Sequence, residues 1–249
     1  MFEGLRLTLS SISYIRQHRL GGIYIYTIII GIAFTVLCSF LMRWGANSIY
    51  DWVSQSAIAE DMPMLHTVIS YSAYLLSWLL MLLPYVVFGA SIILVIMGPT
   101  LSIIAEKTIA VETGAKPLSQ SLWHNILRTV VVVVLNALLQ LSLLLLLFVI
   151  GFFVGPFKIF ILPLTLAVNA YFYAMSMGDY AMEWLNMTPS ESRRYCHKNM
   201  WRYIGLGLPF ALLMLIPLVG SFLALLIAPA TTVACARNFY LNKDNNNQA

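Results

Sequence analysis

The sequence predicts an all-α integral membrane protein, and three observations support this class. Hydrophobic residues make up 60% of the 249 residues, charged residues only 10%, and the mean hydropathy is +0.84. Ordinary soluble domains carry about 25% charged residues. Long apolar runs alternate with short polar segments, and the formal net charge of +4 is small. Such a charge is more typical of a topology signal than of nucleic-acid binding.

The apolar stretch 208–236 is broken in its middle by Pro217 and Gly220. A helix needs about 20 residues to cross a hydrocarbon core about 30 Å thick. The first arm, 203–216, is too short for this at about 1.5 Å per residue. Proline lacks a backbone N–H and glycine tolerates turns, so a reversal fits here. We therefore predict a helical hairpin over 203–236 that enters the membrane and turns back inside it.

The N-terminal segment 1–20 is predicted to be an amphipathic helix. Phe2, Leu5, Leu9 and Ile12 recur at helical spacing, and polar residues that include Arg6 and Arg16 lie between and after them. Such a helix lies in the headgroup plane with its basic side toward the lipid phosphates, or packs on the cytoplasmic face of the protein itself. The sequence leaves both alternatives open.

Two long spans follow, at 23–42 and 67–97, and Gly98-Pro99 is predicted to end the second. The polar segment 100–128 is predicted to form two short cytoplasmic helices. A single membrane domain is expected for the whole chain, without a separate soluble domain.

A first hairpin is predicted over 129–178, with its turn at 151–156; it crosses the bilayer fully or enters it part of the way. The polar segment 179–202 then lies at the cytoplasmic surface before the second hairpin. The polar tail 242–249 is predicted to be disordered.

The basic residues predict the topology. Twelve of the fourteen lysines and arginines fall in the N-terminal segment, in 100–128, in 179–202 and at the C-terminal end. The positive-inside rule then places both termini in the cytoplasm. We expect the inner (cytoplasmic) membrane of a bacterium.

Motifs of enzymes are not found in the sequence. It contains no H-E-x-x-H, no G-x-S-x-G, no P-loop and no dinucleotide fingerprint. The three cysteines form no C-x-x-C pair, so we expect buried, inert thiols and neither a metal site nor a cofactor. The acids that a proton relay inside the membrane would need are not expected, which favours passive flux over pumping.

The N-terminus of a helix that begins inside a membrane is suited to binding an anion. Its free N–H groups and the positive end of the helix dipole point at the preceding turn. The second arms of the two hairpins are expected to start near Pro156 and Ser221. Neighbouring side chains or water could satisfy these N–H groups equally well, and interfacial arginines most often bind lipid headgroups. The candidate anion-binding residues are Arg16, Arg19, Arg128, Gly155, Gly220 and Ser221, and the candidate turn prolines are Pro156, Pro217 and Pro229.

Three further polar residues lie in or next to apolar segments. Asn136 and Gln140 are four residues apart on one helix face and must meet protein or water there. A hydrogen bond between helices is the favoured interpretation, and a polar pore lining is the alternative. Glu106 is expected to pair with Arg128 or Lys107, or to gate or repel ions.

The chain resembles the CysZ-type sulfate permease and etoposide-induced protein superfamily over nearly its whole length. The motifs that carry the resemblance are Gly98-Pro99 followed by Leu101 and Ala105-Glu106, Glu191-x-Arg193-Arg194, and the run from Ile216-Pro217-Leu218 through Ala228-Pro229 to Ala234. The resemblance implies two long membrane helices with two hemi-penetrating hairpins. It also implies homo-oligomers and, in the bacterial members, sulfate uptake.

One stretch departs from the pattern of the sulfate-binding members. They resemble one another in a Pro-Gly-hydrophobic-Arg-Arg stretch at the start of the first long helix, where this chain reads His18-Arg19-Leu20-Gly21-Gly22. Glycines stand where those members have the twin arginines, and Arg16 and Arg19 lie one helical turn before these glycines. We expect a transport protein or channel for passive flux of a small anion, with sulfate a candidate. The alternative is a non-transporting membrane scaffold or homeostasis protein of the same superfamily.

Overall fold

The computed structural model describes residues 1–18, 20, 22–54, 63–114, 122–153, 155–216 and 219–247, and this part of the chain is helical, without strands. The α-helices are α1 (Phe2–Gln17), α2 (Gly22–Ser54), α3 (Pro63–Thr113), α4 (Leu122–Phe153), α5 (Ile161–Trp184), α6 (Pro189–Lys198), α7 (Met200–Met214) and α8 (Val219–Asn247). A short 3-10 helix, Gly155–Phe160, links α4 to α5.

Within the described residues, four helical stretches are long and apolar enough to cross a membrane. These are Ala90–Thr113, Leu127–Phe153, Ile161–Trp184 and Phe222–Tyr240. The prediction of an all-α integral membrane protein is therefore confirmed. The predicted spans 23–42 and 67–97 lie inside the longer helices α2 and α3, which contain 33 and 51 residues.

The prediction that Gly98-Pro99 ends the second span is wrong, because α3 continues through both residues to Thr113. A proline inside a helix costs about 3 kcal/mol, since one hydrogen bond is lost and the ring crowds the preceding turn. Met97 and Leu101, on either side of the pair, are fully buried. Their packing offsets the local preference to stop the helix.

The chain divides into two compact units, one of residues 31–89 and one of residues 1–30 with 90–249. Within the smaller unit, the rings of Tyr50 and Tyr74 contact each other edge to face with centroids 6.2 Å apart. Much of its described surface is apolar, as expected for a surface in lipid.

The core of the larger unit lies where α5 packs against α4, α7 and α8, and α1 packs against α7 and α8. Small residues let these helices approach closely, which is how helices commonly associate in membranes. A Cβ added at Gly207 would collide with the Ala170 carbonyl oxygen, and one added at Gly205 would collide with that of Met1. The core residues include Phe172, Met175, Met182, Cys196, Tyr203, Leu206 and Cys235.

The first hairpin differs from its prediction at the turn. Helix α4 runs on to Phe153, Gly155 has a left-handed φ of 57°, and the next residues form the 3-10 helix. Glycine adopts this φ without strain, so it suits the reversal. Helix α5 begins only at Ile161, so the predicted helix start near Pro156 is wrong. The reason is that the 3-10 turn completes the reversal before α-helical geometry resumes.

The second hairpin consists of α7 and α8, which pack against each other. Pro217 lies outside the described residues, as does Arg19. Pro229 is not a turn residue, because it lies buried inside α8. Proline is tolerated inside membrane helices, where neighbouring groups satisfy the freed backbone. The predicted disordered tail is also corrected, since α8 continues through residue 242 to Asn247.

Candidate functional site

Arg128 of α4 is the centre of a buried polar cluster. Its Nε and Nη2 donate to the two carboxylate oxygens of Asp179 at 3.4 and 3.2 Å, and Nη1 donates to the Met187 carbonyl oxygen at 2.7 Å. The Nε atom also lies 3.9 Å from Glu183 Oε1. Ser192 of α6 donates to Asp179 Oδ1 at 2.6 Å. The cluster therefore joins α4, α5 and α6.

The cluster occupies the donor groups of Arg128. Its side chain is 12% exposed, and those of Asp179 and Glu183 are 6% and 2% exposed. A guanidinium that donates to both oxygens of one carboxylate makes a strong and directional pair. An anion could reach Arg128 only by displacing a carboxylate. Arg128 pairs with these two acids and not with Glu106, which lies half-buried on α3.

Asp179 and Glu183 were missed as buried acids in the sequence analysis. The second arm of the first hairpin was expected to end at Gly178. Instead, α5 continues to Trp184, and both carboxylates are buried in this apolar helix. The boundary expected at Gly178 is therefore wrong, because the helix includes both acids. The spacing of four residues, which places both on one helix face, was the available signal. Their partner Arg128 is 51 residues distant from Asp179 in sequence, so no local pattern connects them.

Asn136 and Gln140 link α4 to α5, as the favoured interpretation predicted. Asn136 Nδ2 donates to Ser176 Oγ at 3.0 Å, and Gln140 Nε2 donates to Asn169 Oδ1 at 2.7 Å. Hydrogen bonds of this kind contribute roughly 1 kcal/mol each in membranes. Both side chains therefore form hydrogen bonds between α4 and α5.

A small cavity lies beside this polar row. Its volume is about 10 Å³, and its lining includes Asn136, Asp179, Ser192 and Arg193. Such a volume holds at most about one water molecule. The cavity is therefore too small for an oxyanion.

The turn of the first hairpin presents an apolar surface. Ile159 and Phe160 are exposed beside Gly155. A groove of about 330 Å³ next to the turn is lined by Leu147, Phe148, Gly151, Phe152, Ile161, Leu162 and Thr165. This lining suits the acyl chains of lipids, since almost all of its side chains are apolar.

The turn of the second hairpin depends on Gly220 for close packing. Its N–H donates to the Ile216 carbonyl oxygen at 2.9 Å. An added Cβ would collide with the Leu213 carbonyl oxygen. The Gly220 N–H is therefore already used within the turn. The side chains of Ser221 and Pro156 lie outside the described part of the structure.

Arg16 lies in the last turn of α1 and is exposed. In the same turn, Tyr14 is buried against the other helices. Arg237 Cζ lies 4.5 Å from the centre of the Tyr14 ring, and Arg237 Nε donates to Glu112 Oε1 at 3.2 Å. Burial, with the nearby Glu112 charge, raises the pKa of Tyr14 to about 12. These contacts hold α1 against the ends of α3 and α8.

Helix α6 begins with a capping box formed by the sequence Thr188-Pro189-Ser190-Glu191. The Glu191 N–H donates to Thr188 Oγ1, and the Thr188 N–H donates to Glu191 Oε2. The hydrogen bond from the Thr188 N–H lowers the pKa of Glu191. At the other end of α6, burial raises the pKa of the Cys196 thiol to about 12. The described residues contain no group of acids, histidines and cysteines that could hold a metal ion.

The comparison with known families decides the class of the protein. The family described as "Sulfate transporter CysZ/Etoposide-induced protein 2.4" matches residues 7–224, from α1 into α8. The chain belongs to this family. The resemblance noted in the sequence is thereby confirmed over most of the chain, including all of α2 to α7. No curated protein sequence matches the chain of this CysZ-family protein.

Proposed function

We propose that this CysZ-family protein mediates passive flux of a small anion across the membrane, with sulfate as the first candidate. The family match over residues 7–224 carries the proposal, because its description names a sulfate transporter. The four apolar stretches that are long enough to cross a bilayer supply the membrane domain that such flux requires.

The second hairpin is proposed to enter the membrane without crossing it. Helix α7 has 15 residues and is about 22 Å long, which is less than the hydrocarbon core. The turn then lies inside the bilayer, and the first turn of α8 points its N–H groups toward it. Because the Gly220 N–H is engaged, the proposed anion contacts there are the other N–H groups of this turn and Ser221.

The arginines of the N-terminal segment are proposed to gather anions on the cytoplasmic side. Arg16 is exposed, and Arg19 follows within one helical turn in the sequence. Arg128 and Gly155 remain weaker candidates, because the first is engaged by carboxylates and the second lies beside exposed apolar side chains. The proposed orientation has both termini in the cytoplasm of a bacterium, and the functional form is proposed to be a homo-oligomer.

Passive flux is preferred to coupled transport. Asp179 and Glu183 are the acids buried in α5, and both lie against Arg128. Both carboxylates face a guanidinium that joins α4 to α5, an arrangement that suits a structural ion pair better than a proton relay. The sequence also carries no P-loop for ATP.

Uptake of labelled sulfate into proteoliposomes tests the proposal. Wild-type protein should exceed empty vesicles, and Arg19→Ala should reduce the flux. Arg194→Ala, which removes an exposed arginine of α6, is the matched control and should leave flux unchanged. Flux unaffected by Arg19→Ala would move the site toward the hairpin turns. Absence of flux for sulfate and for other small anions would refute transport and favour the scaffold alternative.

A further inference from the structure

We propose that the outer face of α1 is a docking surface for anionic phospholipids. In this proposal the helix lies at headgroup level, its outward apolar side chains reach the acyl boundary, and its arginines contact lipid phosphates. The surface shares Arg16 with the segment proposed to gather anions, but lipid binding to it does not require transport.

The inner face of α1 has small and polar residues in its first three turns and the larger Tyr14 and Ile15 at its end. Gly4, Thr8 and Ser11 are buried against the protein. Thr8 Oγ1 donates to the Leu206 carbonyl oxygen of α7 at 3.0 Å. A Cβ added at Gly4 would collide with the Arg202 carbonyl oxygen. The helix is therefore fixed closely on α7, with its orientation set by hydrogen bonding and close backbone approach.

The outer face of α1 exposes large apolar side chains among its polar ones. Phe2 is 79% exposed, Leu9 53% and Ile12 45%. Residues seven apart lie on one stripe of a helix, so Phe2, Leu9 and Arg16 follow one another along the same line. A soluble helix places its apolar stripe toward the core. The exposed apolar side chains, with arginines beside them, suit a helix at a membrane surface, where lipid covers such side chains.

The contacts at both ends of α1 place it beside the start of α7 and near the end of the apolar part of α8, which is the level of the membrane interface. Glu3 in its first turn pairs with Arg202 at the start of α7, next to the exposed Trp201. Tyr14 in its last turn lies against Arg237 near the end of the apolar stretch Phe222–Tyr240. Tryptophan and arginine are enriched at this interfacial level. The 16-residue helix is also too short to span a bilayer.

The charge of the outer face selects the kind of lipid. Glu3, the acid of α1, is exposed but paired with Arg202, and the exposed Arg6 and Arg16 outnumber it. The helix therefore presents net positive charge along its apolar stripe. Phosphate groups of anionic lipids complement such a surface, and the adjoining apolar side chains favour a lipid over a free anion.

The depth of the helix can be measured with a nitroxide at Leu9→Cys. The background carries Cys38→Ser, since Cys196 and Cys235 are buried. Full-length protein in vesicles of phosphatidylglycerol and phosphatidylcholine should give a label at Leu9 that collides with oxygen and is shielded from a water-soluble nickel complex. A label at Ser190→Cys, exposed on the polar helix α6, is the water-facing control.

The lipid preference can be measured by native mass spectrometry of retained lipids. Wild type should retain phosphatidylglycerol over phosphatidylcholine, and Arg6→Gln with Arg16→Gln should lower this preference about fivefold for each arginine removed. Arg193→Gln with Arg194→Gln on α6 removes the same charge and should retain the preference. Nickel access at Leu9 equal to that at Ser190 would overturn the proposal. So would a preference that the α1 pair leaves unchanged or that both pairs lower equally.

Discussion

Replacing Arg128 by methionine should destabilise the protein strongly. The change keeps the apolar stem of the side chain and removes the guanidinium that donates to Asp179 and lies near Glu183. Both carboxylates are nearly inaccessible, so they would be left buried without their cation. Breaking a buried pair in this way costs about 3–5 kcal/mol in free energy of unfolding. Ser192 can keep only one oxygen of Asp179 hydrogen-bonded.

A double-mutant cycle measures the interaction energy between Arg128 and Asp179 separately from the contacts that each makes with other residues. Asp179→Asn alone also removes half of the pair and should be costly. Arg128→Met combined with Asp179→Asn should cost clearly less than the sum of the single changes, with a coupling of about 1–3 kcal/mol for such neighbours. The Glu183 carboxylate remains in the double variant, so some destabilisation should persist.

The assay is reversible unfolding in mixed micelles, followed by the reaction of a thiol-sensitive dye. Cys196 and Cys235 are buried, so the dye reports their exposure, and Cys38→Ser removes the remaining thiol. Arg194→Met is the matched control, because Arg194 is exposed and its loss should change stability by less than about 0.5 kcal/mol. A cost below about 1 kcal/mol for Arg128→Met, or additive single effects, would refute the ion-pair account.

Three further predictions concern packing, pH and thiol chemistry. Gly207→Ala should lower unfolding stability by about 1–3 kcal/mol, because its Cβ has no room, while Gly22→Ala, with open space at that position, should be nearly neutral. The two unfolding curves compared under one condition check this, and equal effects would contradict it. The lowered pKa of Glu191 means that its capping contribution is present above the ordinary glutamate pKa of 4.5 and is lost as pH falls through the folded-state value. The stability difference between wild type and Glu191→Gln should therefore shrink below pH 4.5, and a constant difference would count against the capping role. The Cys196 thiol, whose pKa burial raises to about 12, should be ionised in only about one molecule in ten thousand at pH 8. In the Cys38→Ser background, maleimide labelling should thus wait for unfolding, and rapid labelling of folded protein would show that this burial is wrong.

The features that composition and local pattern could predict are those with a local cause. Low charge and long apolar runs determine an all-α membrane protein, because each helix satisfies its own backbone in lipid. The break in 208–236 follows from proline and glycine, and the start of α6 follows from its capping box. These causes act over a few residues, so the sequence predicts their effects without information about tertiary contacts.

Tertiary structure decided the features that depend on distant partners. Gly98-Pro99 and Pro229 lie inside helices, because packing of their neighbours outweighs the local cost of proline. Asp179 is buried because Arg128 meets it from another helix. Periodicity alone left open whether α1 lies in the headgroup plane or packs on the protein, since an amphipathic pattern gives two faces and not the medium that each one meets. Contacts with α7 and α8 settle it, because close backbone approach needs the small face of α1 inside.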